Sequence, residues 1–308
     1  MTLEQILNDL NTDRVKKCIL DSDMANEMDD QYALAYCIGC DKIDLLSVNA
    51  APFTYEDSFA LGVKRSYDET IRILEACSRN DGSIPVYMGC DRRFTSDDDF
   101  APIDSPAVKN IIDTANSLDE PLYILATGCC TNVASACLID PSIKDKICVI
   151  WLGANCLDFK NEYEYNLLQD FDAGRILLNC KVPLVLLPAI SNDEKCGTQV
   201  LKISFEDLKN ISGDGKTQKF FRWDFPLEFL EKEHTQENID NWRWILWDLA
   251  APGVVSVPEA YTFHVMPTPT ITDDKLYAFD KTRHNMIYME RLDKDIVLND
   301  TYKSINKL

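Results

Sequence analysis

Six short apolar runs recur through the first two thirds of the chain, at 18–20, 43–48, 84–88, 122–126, 147–152 and 182–187, and most do not alternate with polar residues. A strand with one wet face alternates; a run that does not is covered on both faces, as in a parallel sheet between layers of helix. Between the runs lie segments of helical length and period at 30–38, 58–77, 106–118, 132–138 and 172–179. Strand and helix in turn predict an α/β fold, a single domain with a mostly parallel sheet and helices on both faces.

After Pro188 the rhythm breaks. Residues 191–243 mix charges with Lys, Gly and Asp clusters and the aromatic group Phe220, Phe221, Trp223 and Phe225. This stretch reads as a variable insertion or cap within one domain spanning 1–308, either surface loops held by an aromatic anchor or a cover over a pocket. A helix is expected around 242–251, then short β-like pieces near 261–266, 276–279 and 285–289.

Charge narrows the partners. With 51 acidic against 31 basic residues the net charge is −20, which repels a phosphate backbone or an anionic bilayer and disfavours nucleic acid and membrane as partners. No run approaches the roughly 18 apolar residues of a membrane span, and the first residues lack a signal-peptide core. The 12 Cys, several of them inside apolar runs, read as reduced small hydrophobes, so a cytosolic protein is expected. A small-molecule ligand fits this picture, and assembly into a homo-oligomer is left open.

Four clusters carry chemistry. The run at 18–20 leads into Asp21, Asp23, Glu27, Asp29 and Asp30. Crowded like charge at a strand end is costly without a cation, and carboxylate oxygens suit Ca²⁺ or Mg²⁺ better than zinc. A solvated acidic loop at a helix N-terminus is the competing reading. The run at 122–126 ends in Thr-Gly-Cys-Cys-Thr-Asn132, placing Thr131 at a helix start on the same carboxyl edge of the sheet. The third cluster, Asn155, Asp158, Asn161, Glu162, Glu164 and Asn166 among Tyr163 and Tyr165, suits hydroxyl binding and ring stacking. The fourth is Trp242, Trp244, Trp247 and Asp248; helical spacing makes core packing the default for the rings, and Asp248 must find a partner, for which a cation would serve. Cys37 and Cys40 lack the further ligands zinc needs, and no Ser-His or Cys-His nucleophile pairing is evident.

In this order the four clusters resemble the inosine–uridine-preferring nucleoside hydrolase family. Asp21, Asp23, Asp29 and Asp30 look like the acids of its Asp-x-Asp-Pro-Gly-x-Asp-Asp turn, with two extra residues between the pairs. Residues 124–132 are similar to its Leu-Ala-Thr-Gly turn ending in Thr-Asn, and 149–155 followed by Glu164-Tyr-Asn166 to its second substrate segment. Trp247-Asp248 stands where the family has His-Asp or Trp-Asp. The resemblance implies N-glycosidic cleavage of ribonucleosides with a bound Ca²⁺ held by Asp23, Asp30, Asp248 and the Thr131 carbonyl. Asp23 would also activate the attacking water, while Asp29, Glu164 and Asn166 hold the ribose hydroxyls and Asn155 or Asn161 the 5′ end. The family's ribose-contacting Asn after the second strand falls near Phe53 in this sequence, and the resemblance leaves Asn49 as its stand-in. Met24–Met28 replaces Pro-Gly, which puts Asn26 or Glu27 toward the site. Trp247 replaces the His that protonates the leaving base in many members, and this implies stacking on the base and purine preference. Two rivals remain: a non-catalytic nucleoside- or N-ribosyl-binding protein, and a haloacid-dehalogenase-like phosphatase, for which the later Lys and Asp pair are missing.

Overall fold

A computed structural model describes residues 1–230 and 234–308. Twelve strands are present among them: β1 (Lys16–Ser22), β2 (Ile43–Ala50), β3 (Val86–Met88), β4 (Leu122–Ala126), β5 (Ile147–Leu152), β6 (Leu184–Leu187), β7 (Lys202–Ser204), β8 (Arg243–Ile245), β9 (Tyr261–Pro267), β10 (Thr270–Ile271), β11 (Tyr277–Ala278) and β12 (Asn285–Leu292). Eight of them form one sheet in the order β3-β2-β1-β4-β5-β6-β12-β9. Pairing is parallel from β3 through to β12, and only the edge strand β9 runs antiparallel, against β12.

The non-alternating runs owe their composition to this sheet's two covered faces. Cys18 and Leu20 enter the core on one side while Ile19, between them, enters the core on the other. Helices follow the strands where local capping permits. Ser58 and Ser105 accept hydrogen bonds from the first-turn amides of Phe59–Ala76 and Pro106–Ser117, and Asp170 does the same for Phe171–Asn179, satisfying donors that would otherwise be orphaned.

The order places a topological switch between β1 and β4, because the chain leaves β1 toward β2 on one side and later returns to β4 on the other. Loops leaving the carboxyl ends of β1 and β4 therefore diverge and open a crevice, the usual ligand site of such sheets. Register fixes its floor: Asp21 pairs with Ala126, and the Thr127 amide donates to the Asp21 carbonyl at 2.9 Å.

The β-like pieces expected near 261–266 and 285–289 are β9 and β12, and they belong to the central sheet, β12 pairing with β6 and β9 with β12. One expectation changes. No helix spans 242–251: β8 pairs with β7, a 3₁₀ turn covers Trp247–Leu249, and the helix is Ala250–Ser256. Pro252 accounts for the late start, since proline fits only the first turn of a helix. Two terminal helices, Leu3–Leu10 and Lys294–Ile305, were not read from the sequence, although the first carries a Thr2–Gln5 capping box.

The stretch 191–243, of which 231–233 lie outside the described residues, consists of short helical turns and β7. Of its aromatic group Phe221 and Phe225 are buried, Phe220 is partly buried against the core and Trp223 is exposed, with the Phe221 ring 5.2 Å from that of Tyr32 on the helix Asp29–Gly39. Tyr32 also donates its hydroxyl proton to the Phe221 carbonyl.

Candidate active site

The crevice at the switch point holds a cavity of about 290 Å³. Its walls come from the β1 turn (Asp23, Asn26, Glu27, Asp29, Asp30), from Thr127, from Leu152 with Tyr163–Asn166, from Ala189 and Ile190, and from Trp247 and Asp248. No described residue of 191–243 lines it, so the aromatic anchor supports the helix behind the site.

Four carboxylates converge here, all buried. Asp29, Asp30 and Asp248 each offer an oxygen within 4.8 Å of the others, although Asp248 lies more than 200 residues from the other two. The Asp248 amide donates to Asp29 Oδ2 at 3.3 Å. Asp30 accepts from the Ser22 hydroxyl and, at 3.1 Å, from Thr127 Oγ1. Asp23 joins them from the end of β1, and its Oδ2 is buried without a hydrogen-bond partner.

Burial, and then mutual repulsion, hold Asp23, Asp29 and Asp248 well above the ordinary carboxylate range, and burial raises Asp30 as well. Among the described residues no Lys or Arg pairs with any of the four. Hard oxygen donors, an orphaned buried carboxylate oxygen and no protein counter-charge are the features of a cradle for a divalent cation.

The opposite wall is set by Glu164. Its carboxylate caps the helix Tyr165–Gln169, accepting from the amides of Asn166 at 2.9 Å and Leu167 at 2.8 Å, and also holds the Ala154 amide at 2.9 Å. Burial nevertheless pushes its pKa up to about 7. Asn166 spends both amide hydrogens on the carbonyls of Thr127 (2.9 Å) and Leu152 (3.1 Å), leaving its own Oδ1 as the group available to a ligand. Tyr165 donates to Asn26 Oδ1 at 2.7 Å across the cavity edge. Trp247 is partly buried against the core and lines the cavity. Trp242 and Trp244 stack on each other instead, 6.3 Å apart.

Of the residues expected from the sequence, Asp23, Asp29, Asp30, Glu164, Asn166, Trp247 and Asp248 come together, with Asn26 and Glu27. Four do not line the cavity. Thr131 starts the next helix and gives its hydroxyl proton to Asp170 at 2.7 Å; Thr127, at the strand end, stands on the cavity wall. Asn49 donates to buried Asp21 (3.2 Å) and accepts from Asn110 (2.9 Å), so its amide is spent on a buried acid beneath the floor. Asn155 hydrogen-bonds the Asn161 carbonyl at 3.0 Å and accepts from the Ile190 amide, and Asn161 caps its own loop by accepting from the Tyr163 amide. Those two hold the third segment in shape. Thr127 was the residue missed, and its place directly after the last apolar residue of β4 is the signal that distinguishes it.

A family model described as inosine-uridine preferring nucleoside hydrolase matches residues 18–299. A pyrimidine-specific ribonucleoside hydrolase, RihB, of Escherichia coli strain SE11 is 26% identical over 211 residues. That match covers 60% of this chain and 64% of the relative, so less than two thirds of the relative's length is aligned. Among solved structures, a plant nucleoside hydrolase superposes with a TM-score of 0.72 at 18% identity, covering 95% of this chain and 99% of that one. A purine-preferring ribonucleoside hydrolase from Gardnerella vaginalis gives 0.70 at 20% identity, covering 94% of this chain and 98% of that one. The fold is thus that of these hydrolases, and with the family model spanning the sheet, the acidic turn and Asp248, the chain belongs to the inosine-uridine preferring nucleoside hydrolase family.

Proposed function

We propose that this chain hydrolyses the N-glycosidic bond of ribonucleosides to ribose and free base, requires Ca²⁺ or a similar divalent cation, and prefers purines. The observation that carries the reading is the set of four buried carboxylates at the switch point, one with an oxygen that no described residue satisfies, facing a wall of Glu164, Asn166 and an aromatic ring.

Asp23, Asp30 and Asp248 would hold the cation, with an oxygen of Thr127 rather than of Thr131 beside them. When bound, the ion supplies Lewis-acid polarisation of water and of ribose hydroxyls. The remaining work falls to side chains. Asp23 Oδ2, free of other partners, accepts the proton of the attacking water as general base. Asp29, Glu164 Oε1 and Asn166 Oδ1 accept from the ribose hydroxyls and fix the sugar while positive charge develops at the anomeric carbon. The buried acids around that carbon favour an oxocarbenium-like transition state over the neutral substrate.

Trp247 supports the purine preference. Among the described residues no His lines the cavity, so no imidazolium stands ready to protonate a leaving pyrimidine. An indole face stacks better on the larger purine ring, which is also the easier base to protonate from solvent. The related proteins' names point both ways, toward pyrimidines in the E. coli relative and purines in the Gardnerella structure. Chromatographic measurement of base release from inosine, adenosine, guanosine, uridine and cytidine tests the reading. Purine specificity constants above those of uridine and cytidine are expected; release from uridine or cytidine alone would overturn the preference, and no release from any would overturn the activity.

A further inference from the structure

The turn that carries Asp23 is held at its tip by a residue from the opposite wall. Residues 23–28 lead from β1 into the helix Asp29–Gly39 without a Pro or Gly, and that helix has no side-chain cap at Met28. Met24 and Met28 are buried, whereas Ala25, Asn26 and Glu27 between them are not. Such a stretch has to be fixed by bonds, because ordering it costs conformational entropy that a proline ring would have removed from the unfolded chain. At the base of the turn, Gln31 Nε2 donates to the Met24 carbonyl at 2.6 Å. At the tip, the Tyr165 hydroxyl donates to Asn26 Oδ1 at 2.7 Å, and the Asn26 amide donates to the Asp23 carbonyl at 2.8 Å. No other described side chain hydrogen-bonds residues 25–27.

We propose, on the reading of Asp23 as general base and cation ligand, that Tyr165 is a positioning residue whose hydrogen bond to Asn26 clasps the turn across the cavity edge and sets where the Asp23 carboxylate stands. Two bonds in series then run from the helix Tyr165–Gln169 to the Asp23 main chain. Asp23 depends on them, because its Oδ2 is buried without a hydrogen-bond partner; no bond at that oxygen steers the carboxylate, and its aim follows the backbone. The anchor itself is firm. Glu164, next to Tyr165, accepts from the amides of Asn166 and Leu167 at one end of the helix and from the Ala154 amide beyond β5. Tyr165, Asn26 and Asp23 all line the cavity, so the clasp spans the space that a ligand enters.

Tyr165→Phe removes the hydroxyl and keeps the ring, and because Tyr165 is 43% exposed the change leaves its own site packed. Asn26→Ala removes the acceptor. Each variant and the double variant are assayed for kcat and KM with inosine and titrated with Ca²⁺ by isothermal titration calorimetry, with thermal melts as the check on folding. Misplacement of about 1 Å at a reacting group can cost on the order of 100-fold, so each single variant should lose at least about tenfold in kcat with KM within about twofold. Support around a metal ligand is commonly worth about 10–100-fold in affinity, so the Ca²⁺ Kd should rise by at least about threefold. The double variant should be no worse than the poorer single, since both remove the same bond. A rise in KM with kcat unchanged would make Tyr165 and Asn26 ligand contacts, and additive losses in the double variant would mean that they act separately; either result overturns the clasp, as does an unchanged kcat and Kd in both singles. If the unsubstituted protein binds Ca²⁺ but releases no base from any nucleoside, the proposed activity fails while the Ca²⁺ titrations still decide the clasp.

Discussion

Asp23 sits at the end of a central strand with one carboxylate oxygen unpartnered in the protein interior, where burial alone would keep it protonated and inert as a base. A neighbouring cation reverses that preference by stabilising the charged form. Asp23→Asn preserves size and removes basicity, so turnover of inosine should fall by at least roughly 10²–10⁴; near-normal turnover in that variant would remove Asp23 from the base role. Trp247 lines the cavity and stands outside the Trp242–Trp244 stack. Trp247→Ala should lower the purine-to-pyrimidine ratio of specificity constants with little change in melting temperature. A ratio unchanged in a protein that melts much earlier would make the ring a packing residue. At this scale the sequence revealed residue types better than their directions. Thr127 and Thr131 lie four residues apart in one turn, and Thr127, directly after the last apolar residue of β4, is the one that reaches the cavity. Asn49 pairs in register with Asp21, and a buried acid has first claim on the nearest amide donors.

The elements that make the site are the two turns leaving β1 and β4, and they press closely on each other. A methyl group at Gly128 would lie 3.2 Å from the Asp23 side chain and 3.0 Å from that of Ala51. Gly128→Val should therefore displace Asp23, and misplacement of about 1 Å at a reacting group can cost on the order of 100-fold. Steady-state assays with thermal melts should give a kcat loss of at least about tenfold in a protein that still folds cooperatively; unchanged kcat would show that the turns do not set the position of Asp23. Alternating strands and helices were legible because each covered run reports its own burial. The pieces that became β9 and β12 were legible as well, but the joining of β12 to β6 and the existence of β8 were not, since β6 and β7 lie far from those strands in sequence and local patterning carries no record of such pairing.

For the whole molecule, concentrating four acids in the interior links stability to pH and to the cation. Their folded-state pKa values stand above the unfolded value of about 3.9. In the metal-free protein their stabilising contribution is thus fully present below that unfolded value and is lost as pH rises through the raised folded values. Ca²⁺ binds the deprotonated form, so its stabilisation grows in the opposite direction. The increase in melting temperature on adding saturating Ca²⁺ should be larger at pH 8 than at pH 5, and Asp248→Asn should shrink it at pH 8. An increment equal at both pH values would mean that the ion binds elsewhere. The most direct measurement of the central claim is ribose release from inosine by one purified sample, followed before chelation, after removal of divalent cations, and after Ca²⁺ is restored. The expected course is activity, near-complete loss and recovery; undiminished release in the chelated protein, or no release with Ca²⁺ bound, would contradict it.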